Sequence, residues 1–316
     1  MTASWSELRA LKVVLGTKAQ VASRRELQRR RSRRSVAVEL ADGACVVVKY
    51  DERAERVTQE AARLGAANRL EGVDTPRLRG ATRHYLVQDF VAGEGLDALA
   101  RRSQGETRRR LFERAAVVLA AIHGSRRAAA ALDLSEPCAP GRLGERVRRA
   151  WREIETRGFP RWEAQQGSVP ASWRRAFEEQ AASRLVSDLA AAGEACVLGH
   201  GDFQPRHLLH SPDDRLFVVD WIAMAWLCPW IELAHLLRWL APAERSAVTA
   251  AYLEAAQKRG LLREVSAARS AALAESALRY DHLIVAKQMV RKLGRAPQPG
   301  HLRSFRSSLE ALAEGV

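Results

Sequence analysis

Cysteine is scarce in this chain and scattered. Four occur in 316 residues, Cys45, Cys138, Cys196 and Cys228, with no C-x-x-C pair among them. That spacing argues against a zinc cage or a disulfide framework and fits a reducing compartment. The N-terminus, "MTASWSELRALKVVLG", lacks a basic segment followed by a long apolar one, so no secretory signal is expected. The most apolar run, "FVVDWIAMAWLCPWIELAHLL", is interrupted by Asp220 and Glu232, which speaks against a membrane span. No internal repeat is present. Acidic residues are in deficit, with 37 Asp and Glu against 51 Lys and Arg, a formal charge of +14. A surplus of that size favours anionic partners such as phosphates, acidic peptides, anionic lipid surfaces or nucleic acid. The alternative is an Arg- and Ala-rich coding bias, because most arginines lie on helical stretches that also carry acids. What remains is a chain 47% hydrophobic, long enough for one large or two modest domains with ample core, and expected in the cytoplasm.

The periodicity changes along the chain. From residue 35 to 50, "SVAVELADGACVVVKY" alternates apolar residues about a turn at Asp42-Gly43, a hairpin whose second strand is apolar enough to be central in a sheet. Val57, Ala61, Leu64 and Leu70 recur at helical spacing over about 53–70. "TPRLRGATRHYLVQDFVAGEGLDAL" reads as two short strands and a connector. The first ninety residues are thus expected to form a small, mostly antiparallel sheet with one helix. Beyond them come helices: an amphipathic one over 105–124, two more within 143–190 split by "GSVP", and others to the end after the "HGD" loop and its strands. The fold class expected is α+β, with a β-rich lobe over 1–91 and a larger helical lobe over 92–316, whose acceptor-side segment spans about 140–190.

Four residues suit phosphoryl transfer, which needs a cation on the phosphates, a carboxylate for metal, a group orienting the nucleophile, and exclusion of water. Lys49, near the end of an apolar strand, can supply the cation. Glu60, on the following helix, can face Lys49 and hold it. Asp202, in a loop opened by His200 and Gly201, can orient an attacking hydroxyl. Asp220, ending the strand "LFVVD", can present a carboxylate to metal. Each alone is a weak signal; their order and spacing carry the reading.

Those residues resemble the aminoglycoside phosphotransferase and choline kinase group, which shares the bilobal protein-kinase-like fold. The group's catalytic loop reads H-G-D-x-x-x-x-N and is followed about eighteen residues later by a strand ending "[IV]-D-[WF]"; here stand His200-Gly201-Asp202 and "VVDW". The resemblance implies Asp202 as catalytic aspartate with His200 bracing its loop, Asp220 as metal ligand, and Lys49 with Glu60 as the phosphate-binding pair. "QDFVAGEGL" is similar to the hinge that receives the adenine, with Asp89, Phe90 and Val91 as backbone contacts. "PWIELAHLL" resembles the group's "DPAYDLA" helix, with Glu232 for Asp. The amino-terminal segment, "RELQRRRSRRSVAVELADGACVVVK", also resembles the lipopolysaccharide-core sugar kinases.

Three departures stand out. His207 occupies the position of the metal-binding Asn; imidazole suits manganese and other transition ions better than magnesium, although the sugar kinases carry His there. No glycine-rich turn lies between residues 16 and 35. In its place runs "TKAQVASRRELQRRRSRRS", whose arginines either grip phosphate by side chains or form a solvated basic hairpin. The basic charge argues against a polycationic acceptor. The expected activity is transfer of the γ-phosphoryl of ATP, with Mg2+ or Mn2+ held by Asp220 and His207, to a hydroxyl of a neutral or acidic small molecule or glycan. Two alternatives are a degenerate kinase fold that binds nucleotide or peptide without catalysis, and a kinase of Ser or Thr in a peptide during natural-product maturation. Nucleic acid is not an expected partner; peripheral contact with an anionic membrane is a further candidate. Trp residues in the acceptor-side helices, and His123, His210, His235, Asp213 and Asp214, are expected in packing and turn roles.

Overall fold

A computed structural model describes residues 5–16, 19–30, 32–125, 132–134, 140–180, 187, 196–294 and 298–314. Contacts divide the chain into two compact units. One comprises Met1–Gln104, Ser125–Leu134 and His200–Met224; the other comprises Gly105–Gly124, Ser135–Gly199 and Ala225–Val316.

The first unit is built on a five-stranded antiparallel sheet in the order β1-β2-β3-β5-β4, with β1 Val21–Arg30, β2 Arg33–Leu40, β3 Cys45–Asp51, β4 Leu78–Ala81 and β5 Tyr85–Asp89. The hairpin expected at Asp42-Gly43 is present, with Gly43 at φ +83°, a backbone state that glycine adopts without steric cost. Strand alternation then sorts the two faces. Val48 lies opposite Val36 and Val87, and these join Val38, Leu40, Val46 and Leu11 in one buried cluster. Lys49 lies opposite Ser35 and Leu86, so it projects from the other face.

Two helices, not one, accompany this sheet: α1 (Trp5–Leu15) and α2 (Ala54–Ala67). The unanticipated α1 buries Glu7, Ala10 and Leu11, a helical spacing whose first member is charged and so weakens the apolar pattern. Arg24 on β1 and Arg34 on β2 approach the Glu7 carboxylate at 3.4 and 3.2 Å, which makes its burial tolerable. The arginine run is therefore a paired hairpin that also holds α1. A second, three-stranded sheet joins β6 (Glu94–Gly95), β8 (Leu208–His210) and β9 (Leu216–Val218). Helix α3 (Leu96–Arg102) follows β6 directly in the chain.

The second unit is mainly helical. Its elements are α4 (Gly105–Gly124), α5 (Pro140–Glu153), a π turn (Ile154–Gly158), α6 (Phe159–Gln166), α7 (Ala171–Gln180), α8 (Pro229–Leu237), α9 (Pro242–Lys258), α10 (Ala267–Leu293) and α11 (Pro299–Glu314), with one β7–β10 pair (Val197–Gly199 with Ala225–Leu227). The break at "GSVP" falls where expected, between α6 and α7. The rest of the expected segment, residues 181–186 and 188–190, lies outside the described residues, as do residues 295–297 of the turn near "RAPQPG". Helix α4 buries Phe112, Ala115, Ala116, Leu119 and Ala120; small residues on this face let α8 and α9 approach closely. His123 is fully buried at its end between the Tyr252 hydroxyl (2.7 Å) and Glu232 (3.1 Å). Trp162 and Trp173 meet edge-on at 5.1 Å beside Phe305, which is core packing. Cys45, Cys196 and Cys228 are free thiols, and Cys138 lies outside the described residues. Among the described residues no helix is long and apolar enough to cross a membrane.

Candidate active site

All of the candidate chemistry falls in the first unit. A cavity of about 780 Å³ is lined by Lys49, Glu60, Asp89, Phe90, Val91, Asp202, His207 and Asp220, together with Ser35, Val47, Leu86 and Gln88 from the sheet face that carries Lys49.

Lys49 Nζ donates to Glu60 Oε1 at 2.6 Å. Burial by itself would lower the lysine pKa, but the carboxylates of Glu60 and Asp220 outweigh it and hold the pKa above 10.5. The ammonium is therefore fixed in its charged form where an anion can reach it. Asp220 experiences the opposite balance: burial pushes its pKa up, and the charges around it, the Lys49 ammonium foremost, bring it below the ordinary aspartate value. Its backbone is left-handed, at φ 67° and ψ 57°. Such a state is uncommon for a residue with a side chain and clusters at functional sites. Here it turns the chain from β9 into the short helical turn Trp221–Ala223 and leaves the carboxylate 44% exposed.

The Asp202 loop is locked from behind by His200. That ring is buried, donates Nε2–H to the Val219 carbonyl at 2.9 Å, and accepts the Asp202 N–H on Nδ1 at 3.2 Å. These partners assign the neutral Nε2–H tautomer. Trp221 packs on the ring edge-on at 4.7 Å and donates its own indole N–H to Val218 O at 3.0 Å. Gly201 has φ +86°, and a Cβ there would lie 1.9 Å from the Ala223 carbonyl oxygen. Only glycine fits. The bracing expected of His200 thus has a geometry that joins the Asp202 loop to the strand delivering Asp220.

His207 lies between the two aspartates. Its Nδ1–H donates to the Asp202 carbonyl at 2.8 Å, and its Nε2 is 3.7 Å from Asp220 Oδ2. Nε2 also accepts from Arg206 Nε at 3.1 Å, so the lone pair that could bind a metal is taken up by Arg206. Two donors on one ion at about 2.1 Å stand roughly 3 Å apart, and the His207–Asp220 pair is close to that. No group of three or more His, Cys, Asp and Glu residues able to hold a metal exists among the described residues. An ion at this pair would complete its shell from phosphate and water oxygens, as divalent ions do in phosphoryl-transfer sites.

Arg206 was not anticipated. It lines the cleft and reaches the Asp202 carboxylate at 3.1 and 3.4 Å. No family motif marks it, and its only signal in the sequence is a cation four residues after Asp202. Of the basic run, Arg33 lines the cleft, with its Nε on Asp51 Oδ2 at 2.7 Å. Arg63 of α2 donates to the Ile222 carbonyl and so fastens α2, which carries Glu60, to the turn beyond Asp220. In the connector, the N–H groups of Asp89 and Phe90 are taken by Arg77 O (2.9 Å) and Cys45 O (3.1 Å). The Asp89 carboxylate pairs with Arg79.

A lysine on an antiparallel sheet held by a helix glutamate, with a braced Asp loop and a second Asp after a short strand, is the arrangement of a kinase-like α+β fold. Solved structures share that fold over nearly the whole chain. A macrolide 2'-phosphotransferase from Brachybacterium faecium is 18% identical, with 95% of this chain and 97% of that one covered at a TM-score of 0.66. An aminoglycoside 2"-phosphotransferase solved with GDP and kanamycin is 15% identical, with 97% of each covered and a TM-score of 0.64. An ethanolamine kinase from Plasmodium vivax is 11% identical, with 93% and 84% covered and a TM-score of 0.60. No curated protein matches the chain. The chain belongs to the phosphotransferase enzyme family, whose model matches residues 23–268.

Proposed function

We propose that the protein transfers the γ-phosphoryl group of ATP to a hydroxyl of a neutral or anionic small molecule. The observation that carries this reading is the Lys49–Glu60 pair, with the Asp220 carboxylate close enough to raise the Lys49 pKa, in one cleft with Asp202. Lys49 would hold the nucleotide phosphates, kept in place by Glu60. Of the three connector residues, Val91 offers the N–H with no acceptor among the described residues, so it would donate to the base while Asp89 and Phe90 shape the pocket. Asp220 and His207 would hold one divalent ion, which neutralises charge on the transferring group.

Asp202, with its carboxylate facing the cleft, would accept or orient the hydroxyl proton. Arg206 is seated on Asp202 and His207 and would have to leave Nε2 when an ion binds there; its guanidinium is then free for a phosphate oxygen. His200 touches no substrate and acts by positioning the loop. Catalysis of this kind is mostly alignment and charge neutralisation. The acceptor is proposed as neutral or anionic because a protein of net charge +14 repels polycations at a distance.

The test is nucleotide turnover against a panel of hydroxyl acceptors, with magnesium and with manganese, for wild type and His207→Asn. The wild type is expected to work better with manganese, and the variant's preference to move toward magnesium by roughly tenfold, since an amide oxygen replaces a nitrogen donor. Metal-dependent nucleotide binding with no transfer to any acceptor would instead identify a binding protein.

A further inference from the structure

The second unit contains a basic hollow, none of whose residues lines the cleft. It has a volume of about 620 Å³ and is lined by Arg149, Arg152, Arg157, Arg161 and Arg291, with Glu153 as its single carboxylate. That volume is in the range of small-molecule sites, roughly 300–1,000 Å³.

The local fold gathers these cations. Residues four apart drift around an α-helix by about 40° per step, which would scatter Arg149, Glu153, Arg157 and Arg161. Between α5 and α6, however, the Phe159 N–H bonds to Ile154 O, closing a π turn. Such wider turns occur mostly as single insertions and frequently at functional sites; here the turn takes up the drift and keeps the four residues on one hollow. Gly158 makes it fit: a Cβ there would lie 2.8 Å from Val290 and 3.1 Å from Phe305. Arg161 donates to the Val290 carbonyl and lies directly over Gly294, so one wall of the hollow is fixed.

The charges are not balanced. Glu153 is engaged by Arg291 at 3.1 Å. Among the described residues no carboxylate is in ion-pair range of Arg149, Arg152 or Arg157. Nearby Lys287 has its pKa lowered by burial and by Arg291, Arg149 and Arg146, with only Glu153 opposing. Elsewhere this arginine-rich chain pairs its helical cations locally, as in Arg110–Glu106, Arg279–Glu275 and Arg306–Glu310. Coding bias alone would give the same local pairing here.

We propose that this hollow binds a small soluble molecule carrying two or more phosphate groups. Each planar guanidinium can take two phosphate oxygens, and three uncompensated arginines around one concavity match a ligand of several negative charges.

Inorganic pyrophosphate is the probe, titrated by calorimetry in metal-free buffer, where no phosphoryl acceptor or turnover is needed. Wild type and Lys49→Gln are expected to bind it alike. The triple variant Arg149→Gln/Arg152→Gln/Arg157→Gln, altered only at exposed side chains, is expected to bind it at least tenfold more weakly, with the metal-dependent binding of ATP at the cleft unchanged. Glu153→Gln, which frees Arg291, should bind at least twofold more tightly. Absence of pyrophosphate binding, or binding lost in Lys49→Gln and kept in the triple variant, would overturn the proposal. So would sedimentation with phosphatidylserine vesicles that depends on the three arginines while pyrophosphate is ignored, because the ligand would then be a membrane surface.

Discussion

In the cleft of the first unit, Lys49 stands 2.6 Å from Glu60 and Asp202 is bridged to Arg206 at 3.1 Å. In the hollow of the second unit, Arg149, Arg152 and Arg157 have no carboxylate in ion-pair range among the described residues, and the one carboxylate in the lining, Glu153, is engaged by Arg291. The cleft keeps its cations charged and aimed through carboxylates on neighbouring elements, so its geometry exists before any ligand arrives. That is the preorganisation that phosphoryl transfer requires. The hollow leaves its cations mutually repelling, an arrangement that favours an anion entering from solution. The same residue types thus serve alignment in one place and attraction in the other, and the number of carboxylates within reach separates the two.

The largest effect expected concerns the cleft. Asp202→Asn keeps the shape of the loop but removes the carboxylate proposed to take the hydroxyl proton, so phosphotransfer should fall by about 10³-fold while the nucleotide-induced shift in melting temperature is retained. A loss of both would mean that Asp202 serves binding rather than chemistry. Next comes Gly201→Ala, whose Cβ would meet the Ala223 carbonyl at 1.9 Å on a φ of +86°. A cost of about 3 kcal/mol in thermal or urea unfolding is expected, with loss of activity because the Asp202 and Asp220 segments come apart. Near-wild-type stability would show that the loop can relax without its neighbours.

The smallest effect tests whether the second unit pairs its arginines where structure demands it. Glu244 accepts from Arg108 through both oxygens (3.1 and 2.6 Å) and from the Ala241 N–H at 2.9 Å. Alanine offers no side-chain acceptor in return, so only the Glu244 half of a capping box is present. The Arg108 hydrogen bond, aided by Ala241, holds the Glu244 pKa below the ordinary 4.5. A depressed carboxylate pKa stabilises the fold above the unfolded value, and that stabilisation is lost as the pH falls through the depressed one. Glu244→Gln should therefore destabilise by about 1 kcal/mol at neutral pH, and the gap to wild type should close as the pH is lowered below 4.5. A gap that persists unchanged in acid would point to lost packing instead of lost charge.

The parts of this molecule that were legible in the sequence are those where one residue's environment is set by its own element. The β2–β3 hairpin, the α4 span and the break at "GSVP" follow from strand alternation, helical period and turn residues. Lys49, Glu60, Asp202 and Asp220 were nameable because the order of their motifs along the chain is itself a signal. Three things were hidden because each depends on side-chain or backbone bonds that no hydrophobic period or motif marks. Helix α1 begins its buried face on Glu7, which reads as solvent-facing until Arg24 and Arg34 are placed beside it. Arg206 becomes part of the site only through its bonds to Asp202 and His207. The π turn at 154–158, which converts a helical run of arginines into a hollow, leaves no mark in the hydrophobic pattern.

The central claim is that the cleft holds a nucleotide through Lys49 and a divalent ion. It is tested most directly by thermal unfolding of wild type and Lys49→Gln with ATP, at millimolar magnesium or manganese and with chelator. The expected result for wild type is a rise in melting temperature of several degrees that requires metal, as ligand linkage gives at about 100 times Kd, and that is abolished in Lys49→Gln. A wild type whose melting temperature ignores ATP with either metal, or a Lys49→Gln protein that responds as wild type does, would contradict the account.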